Sequence, residues 1–467
     1  MFKQNCARDF KKIEFIHERN NMGVTKELAN FLIETHYEDF TTEVVHRAKE
    51  LIIDFIGGAL GGSNSAVGEI LTEYVQEKTA RPEAGVLGKN FKTTAAYAAY
   101  INGTFNHATE LEAVSQRTSP NPLAAIAVSM SVGEKIGLSG KEVLEGFILG
   151  FELQGRIGGA SLAGVSSKGR ISIFNHLGAV GAASKLMKLD LHQTRMAMGV
   201  AAFQAGGLIT NVGTMGHVLE LPVSGRDGIE AAELAGKGIT SHPDIIETPK
   251  GFCDALIEEG GYDLREMTKD LGKTFQIVNP GISIKKYPCC YRSHRALDAF
   301  FDIIDEHDIP YDEIEKVIVE LNLYDSYLMK FPDPKTGEEA KFSYPHILAT
   351  ALLKGTVWVD SFTEQSVSDP QYLQAREKVE AIVHNEWPPG RVDARTPVTI
   401  KLKDGRVFSK EIDSPREPTA DQLLDRYRQA ADGILTSEQT QKSIDFLLNM
   451  ENVGDVSEVL NLLTFTK

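Results

Sequence analysis

Residues 175–185 read NHLGAVGAASK. Six of these eleven residues are Gly, Ala or Ser, and side chains this small let one helix lie close against another. The same texture returns at 95–104, AAYAAYINGT, and at 198–207, MGVAAFQAGG. Around it the signals are helical. In 41–58, TTEVVHRAKELIIDFIGG, the residues Val45, Ala48, Ile52 and Phe55 fall at helical spacing, and Gly57-Gly58 is the expected stop. In 139–159, SGKEVLEGFILGFELQGRIGG, Ser139 and Glu142 have the spacing of a capping box. A shorter helix, DGIEAAELAGKG at 227–238, ends in glycine. Residues 25–280 therefore read as a compact multi-helix domain, not as a run of βαβ units.

The texture changes after residue 284. An amphipathic helix, SHRALDAFFDIIDEHD at 293–308, places Leu297, Phe301 and Ile304 on one face. KVIVELNLY at 316–324 alternates, with Val317, Val319, Leu321 and Leu323 on one side of a half-buried strand. TPVTIKLKDGRVFSKEI at 396–412 is a hairpin turning at Asp404-Gly405, and KFSYPHILATALLKG at 341–355 is a helix between the two. From PREPTADQLLDRYRQAADGIL at 415–435 the chain returns to helix. The expected fold is mainly α: an N-terminal extension over 1–22, a helical domain over 23–283, an inserted smaller α+β lid over 284–414, and C-terminal helices over 415–467 that pack back on the first domain.

Composition narrows the function. A chain of 467 residues is too long for one ordinary core. A net charge of −16 argues against nucleic acid and anionic membrane surfaces as partners, and no apolar run approaches the roughly 18 residues of a spanning helix. The first 22 residues lack a signal peptide's apolar centre, and Asp9, Glu14 and Glu18 count against a transit peptide. Cys6, Cys253, Cys289 and Cys290 include no spaced pairs for a structural zinc, and so few cysteines suit a reducing compartment. The expected location is the cytoplasm.

Four stretches could carry chemistry. In KKYPCCYRSHR, 285–295, Lys285, Lys286, Arg292 and Arg295 stand before a helix that Ser293 can cap. Ammonium, guanidinium and helix N-terminus together suit a small anion with several carboxylates. A solvated linker is the plainer alternative. Cys290 there is either a thiolate favoured by the cations or an inert buried thiol. In the opening stretch, Asn175 can cap a helix holding His176 in its first turn, as an acid/base group or as a satisfied core histidine. In INGTFNHATELEAVSQRTSPNP, 101–122, His107 and Glu110 share a face if the helix continues. In GTMGHVLELPVSGRDG, 213–228, His217 and Glu220 have the same spacing.

These stretches, with HPDIIETPKGF at 242–252, follow one another in the order found in the MmgE/PrpD family, and the chain resembles that family from residue 24 to its end. The family includes 2-methylcitrate dehydratases, cis-aconitate decarboxylases and an iminodisuccinate epimerase. The resemblance implies a helical main domain, an α+β lid beginning at the basic stretch, homodimers, and action on small di- or tricarboxylic acids with no metal and no organic cofactor. It matches the family's lysine to Lys285 and its histidines to His176 and His107. It also shows departures. The family's D-x-D-D becomes Glu110, Glu112 and Ala113, and its H-P-G histidine is replaced at Ser119-Pro120-Asn121. Its K-x-L-H becomes His217, Val218, Leu219 and Glu220, and Cys290 stands where the decarboxylase branch carries histidine. A pocket so altered is less cationic and suits a substrate with fewer carboxylates, or one carrying an amine.

The expected function is a lyase of dehydratase type that removes a proton next to a carboxylate of a small hydroxy acid. His176 or His217 would be the acid/base groups. Lys285 would bind carboxylate or stabilise charge, and Glu220 would be a second base or an orienting group. Ser119, His107, Glu110, Lys286, Tyr287, Cys290 and Arg292 would contact the substrate. The alternatives are an epimerase of an amino- or imino-dicarboxylate, with two bases on opposite faces, and a catalytically silent paralogue that only binds a carboxylate or a protein.

Overall fold

The computed structural model describes residues 23–78, 80–115, 121–161, 169–388 and 394–464. The expected N-terminal extension over 1–22 lies outside them. The fold is mainly α. Its helical body comprises α1 (Val24–Glu34), α2 (Thr42–Gly62), α3 (Ala66–Gln76), α4 (Ala95–Ala108), α5 (Leu123–Ile136), α6 (Gly140–Gly159), α7 (Asn175–Leu186), α8 (Leu191–Gln204), α9 (Met215–Glu220) and α10 (Val223–Gly236). The glycine-rich α7 is its centre, packed between α6 and α10. A Cβ at Gly150 of α6 would lie 2.6 Å from the Gly178 carbonyl, and one at Gly228 of α10 would lie 2.7 Å from backbone atoms of Ala179 and Val180. The small residues thus let backbone meet backbone on two sides of one buried helix.

The capping box at Ser139 is formed: Ser139 Oγ accepts from the Glu142 N–H, and Glu142 accepts from the Ser139 N–H. The expected stop at Gly57-Gly58 is not there. The helix runs on to Gly62, because Gly58 and Gly62 lie against Asn106 and Phe105 of α4, where a side chain would collide. Nor does Asn175 cap α7. It is the first helical residue, and its amide donates to the Asn121 carbonyl at 2.9 Å.

Beyond residue 284 a second apolar cluster forms around α11 (His294–His307) and α12 (Tyr344–Lys354), under a four-stranded sheet. The strands are β1 (Ile314–Asn322), β2 (Val379–His384), β3 (Val398–Leu402) and β4 (Val407–Lys410), in the order β2-β1-β3-β4. β1 and β2 are parallel, and the other two pairings are antiparallel. The β3–β4 hairpin turns at Asp404-Gly405, with Gly405 at φ 91°. Val317, Val319 and Leu321 are buried as the alternation requires, but Leu323 has left the strand, begins a short helix and is exposed. Edge strand β2 was not foreseen, since its outer residues alternate only between half-buried and exposed. Ser293 does not cap α11; its hydroxyl donates to the Cys290 carbonyl at 2.8 Å.

α14 (Ala420–Ala431, with α13 at Pro370–Glu377) lies on α2. Tyr427 packs on Gly57, and Arg426 donates both to Asp54 of α2 and to the backbone carbonyl of Lys285. Burial pushes the Asp54 carboxyl up to about 6, against Arg426 and Arg47. An unfolded Asp ionises near about 3.9. The raised folded value means that Asp54 adds stability while protonated and loses that contribution as pH rises from about 4 to about 6. Asp54→Asn cannot ionise and lacks this slope. Thermal melts at stepped pH are expected to move in the variant's favour, relative to wild type, through that window and to run parallel above it. Curves that run parallel throughout would refute the assignment.

Candidate active site

α4 ends at Ala108, and the chain turns sharply because Glu110 adopts φ 53°, a left-handed conformation uncommon for a side chain of this size. His107 and Glu110 therefore do not share a helical face. The turn nevertheless brings Glu110 Oε1 within 3.8 Å of His107 Nε2. It also sends Glu110 and Glu112 together toward Lys285, which arrives from the join of the two apolar clusters. Lys285 Nζ donates to Glu110 Oε2 at 2.8 Å and to Glu112 Oε1 at 2.6 Å. All three residues are buried. Glu112 Oε2 is buried without a hydrogen-bond partner among the described residues.

His217, on α9, completes the group. Its Nε2 lies 3.9 Å from Glu110 Oε1, and its Nδ1 lies 3.5 Å from Glu220 Oε2. Glu220 is fixed from behind by the Leu208 N–H at 2.8 Å and the Asn211 amide at 2.6 Å. His107 Nδ1 lies 3.0 Å from the Val218 carbonyl. A carbonyl only accepts, so Nδ1 of His107 carries the proton and Nε2 presents its lone pair. Beside carboxylate Glu220 the same holds for His217. The two rings stand 5.0 Å apart, centroid to centroid.

Burial sets the protonation. It pushes His107 down to about 3, helped by neighbouring His217, so the ring is neutral and its approach to Glu110 is not an ion pair. Burial and the Glu110 charge push Glu112 up to about 8, against Lys285. On Glu110 burial acts upward too, but the Lys285 ammonium outweighs it and holds the carboxyl well below its ordinary value. Burial would lower Lys285; the two carboxylates reverse this and hold it protonated. One carboxylate, Glu110, one protonated acid, Glu112, and one ammonium thus share one buried site.

These groups line one cavity of about 150 Å³. Its far wall comes from the second cluster: Cys290, Tyr291, Arg292, Arg295, Leu328 and Phe342. Arg292 pairs with Asp325 at 3.2 Å, and Phe342 packs edge-on against His217 at 5.7 Å. Of the residues anticipated from sequence, His107, Glu110, His217, Lys285, Cys290 and Arg292 line the cavity. Glu220 stands behind His217. His176, Lys286 and Tyr287 are not part of the lining. His176 is buried in α7 and bonded to Asp227 at 3.3 Å. Lys286 reaches Asp298 at 3.4 Å, and the Tyr287 hydroxyl donates to the same carboxylate at 3.0 Å. Ser119 lies outside the described residues. Burial pushes the Cys290 thiol up to about 12, so it is no thiolate nucleophile. Phe342, Leu328 and Asp325 were not anticipated; they come from distant segments, and nothing in their local sequence marks them.

Among the described residues, no helix is long and apolar enough to cross a membrane. Residues 26–265 match the model of the MmgE/PrpD N-terminal domain, and residues 287–452 match that of the MmgE/PrpD C-terminal domain. The chain is 25% identical over 461 residues to a cis-aconitate decarboxylase of Mus musculus, covering 94% of this chain and 93% of that one. It is 24% identical over 463 residues to the cis-aconitate decarboxylase of Homo sapiens, covering 94% of each. It is 27% identical over 483 residues to that of Aspergillus terreus, covering 94% of this chain and 96% of that one.

Proposed function

Because the chain belongs to the MmgE/PrpD family, we propose that it is a lyase that removes a proton next to a carboxylate of a small hydroxy di- or tricarboxylic acid and expels a β-hydroxyl as water. The observation that carries this reading is the enclosure of His217, Glu110, Glu112 and Lys285 around one cavity. The His217 Nε2 lone pair takes the carbon-bound proton, and the Glu220 carboxylate stabilises the imidazolium through Nδ1–H. Lys285 and the arginines of the far wall offset charge developing on the substrate carboxylate. Glu112, whose Oε2 has no partner among the described residues, delivers a proton to the departing hydroxyl. The C–H and C–O bonds break, a C=C bond forms, and water leaves. His176, bonded to Asp227 and outside the cavity lining, supports the packing of α7.

The test is turnover of a panel of small hydroxy acids and their unsaturated counterparts, followed by the ultraviolet absorbance of the new double bond. His217→Gln is expected to lower kcat by about 10²–10⁴ with little change in KM. Release of carbon dioxide in place of water would make the enzyme a carboxy-lyase, as the names of its relatives suggest. Deuterium exchange at the α-carbon without net product would favour an epimerase of an amino- or imino-dicarboxylate. No turnover and no exchange across the panel would sink the catalytic reading and leave a carboxylate-binding protein.

A further inference from the structure

Three lone-pair donors converge in the cavity with no hydrogen-bond donor of the described residues between them. His107 Nε2 and His217 Nε2 lie 3.8 and 3.9 Å from Glu110 Oε1, too far for hydrogen bonds. Each of the three is also oriented from behind. The Val218 carbonyl holds His107 by Nδ1, Glu220 holds His217 by Nδ1, and Lys285 holds Glu110 by its other oxygen. Outer partners of this kind fix the tautomer and aim of imidazole and carboxylate groups that ligate metals. Two imidazoles and one carboxylate make a donor set suited to zinc, cobalt or iron in the divalent state, and less to magnesium, which prefers oxygen.

From these observations we propose that His107, His217 and Glu110 form a binding site for one divalent transition-metal ion of the zinc class, and that this ion competes with acid/base catalysis for the His217 lone pair. Zinc bonds of about 2.0–2.2 Å put neighbouring donors of a tetrahedral site roughly 3.4 Å apart. The three donor atoms lie within 4.8 Å of one another, so small side-chain rotations close the set. The fourth position faces the cavity. The competition rests on the lyase reading given above; the site itself does not.

The test uses the full chain stripped with a chelator and titrated with cobalt(II) alone, with the visible d–d band as readout. One equivalent is expected to bind and give the band of a low-coordinate site. His107→Gln and His217→Gln should abolish it. Glu220→Gln, which leaves all three donors in place, should weaken binding about 10–100-fold. No band in wild type, or a band unchanged in His217→Gln, overturns the site. Added zinc is expected to stop turnover, and chelator to restore it. Turnover that requires added metal, or that ignores saturating metal, overturns the competition. Turnover by protein that takes no cobalt leaves the lyase reading standing and the metal site refuted. A cobalt band in protein that turns over no acid in the panel leaves the metal site standing and the lyase reading refuted.

Discussion

Lys285→Met is expected to lower kcat/KM by at least about 10²–10³ and to destabilise the fold by about 3–5 kcal/mol. Both effects follow from one arrangement. The ammonium sits between Glu110 and Glu112, with all three groups buried. Methionine fills the same space and removes the charge. The Glu110 carboxylate is then left buried without the cation that offsets its desolvation, and it must take up a proton or draw in solvent. On the proposed mechanism the cavity also loses a cation that offsets charge on the substrate carboxylate. Denaturant unfolding and steady-state kinetics measure the two losses separately. The triple variant Lys285→Met, Glu110→Gln, Glu112→Gln should recover much of the stability and none of the activity. Wild-type stability in Lys285→Met alone would mean that the lysine does not hold the carboxylates in solution.

Gly228→Val is expected to leave little folded protein. A Cβ there would lie 2.5 Å from the Ala179 methyl and 2.7 Å from backbone atoms of Ala179 and Val180. Backbone inside a helix does not give way one atom at a time, so α7 would have to shift as a unit. On its other side α7 is held by Gly150 at the same kind of contact. Overpacking of a core typically costs about 1–3 kcal/mol, and more where nothing can yield. Soluble yield and the melting temperature report the effect. Gly236→Ala, at the end of the same helix and facing only the Leu189 side chain at 3.3 Å, is the control, expected within about 1 kcal/mol of wild type. A Gly228→Val protein that melts like wild type would refute the close packing of α7.

The helices of the body were legible because their apolar spacing and small residues are local properties. So were the hairpin at Asp404-Gly405 and the capping box at Ser139. Where the sequence misled, a long-range contact had overridden a local rule. Gly57-Gly58 looks like a helix stop, yet the glycines serve the approach of α4. The basic stretch does reach the cavity through Lys285, Arg292 and Arg295, but the acids that Lys285 meets there lie 173 and 175 positions away. Lys286 and Tyr287 turn to Asp298 instead. His176 lies in the glycine-rich α7, where burial and its bond to Asp227 keep it out of the cavity lining. The pairing of His217 with Glu220 was visible as a spacing of three. Its meeting with His107 was not, since it depends on where α9 crosses the end of α4.

Arg426 grips the main-chain oxygen of Lys285 with one arm and Asp54 with the other. The lysine between Glu110 and Glu112 is therefore anchored by a residue 141 positions further along the chain. Synthesis must pass that residue before the anchor exists. On the proposed function, a chain cut before Arg426 lacks this anchor and is expected to lose turnover even where its helical body folds.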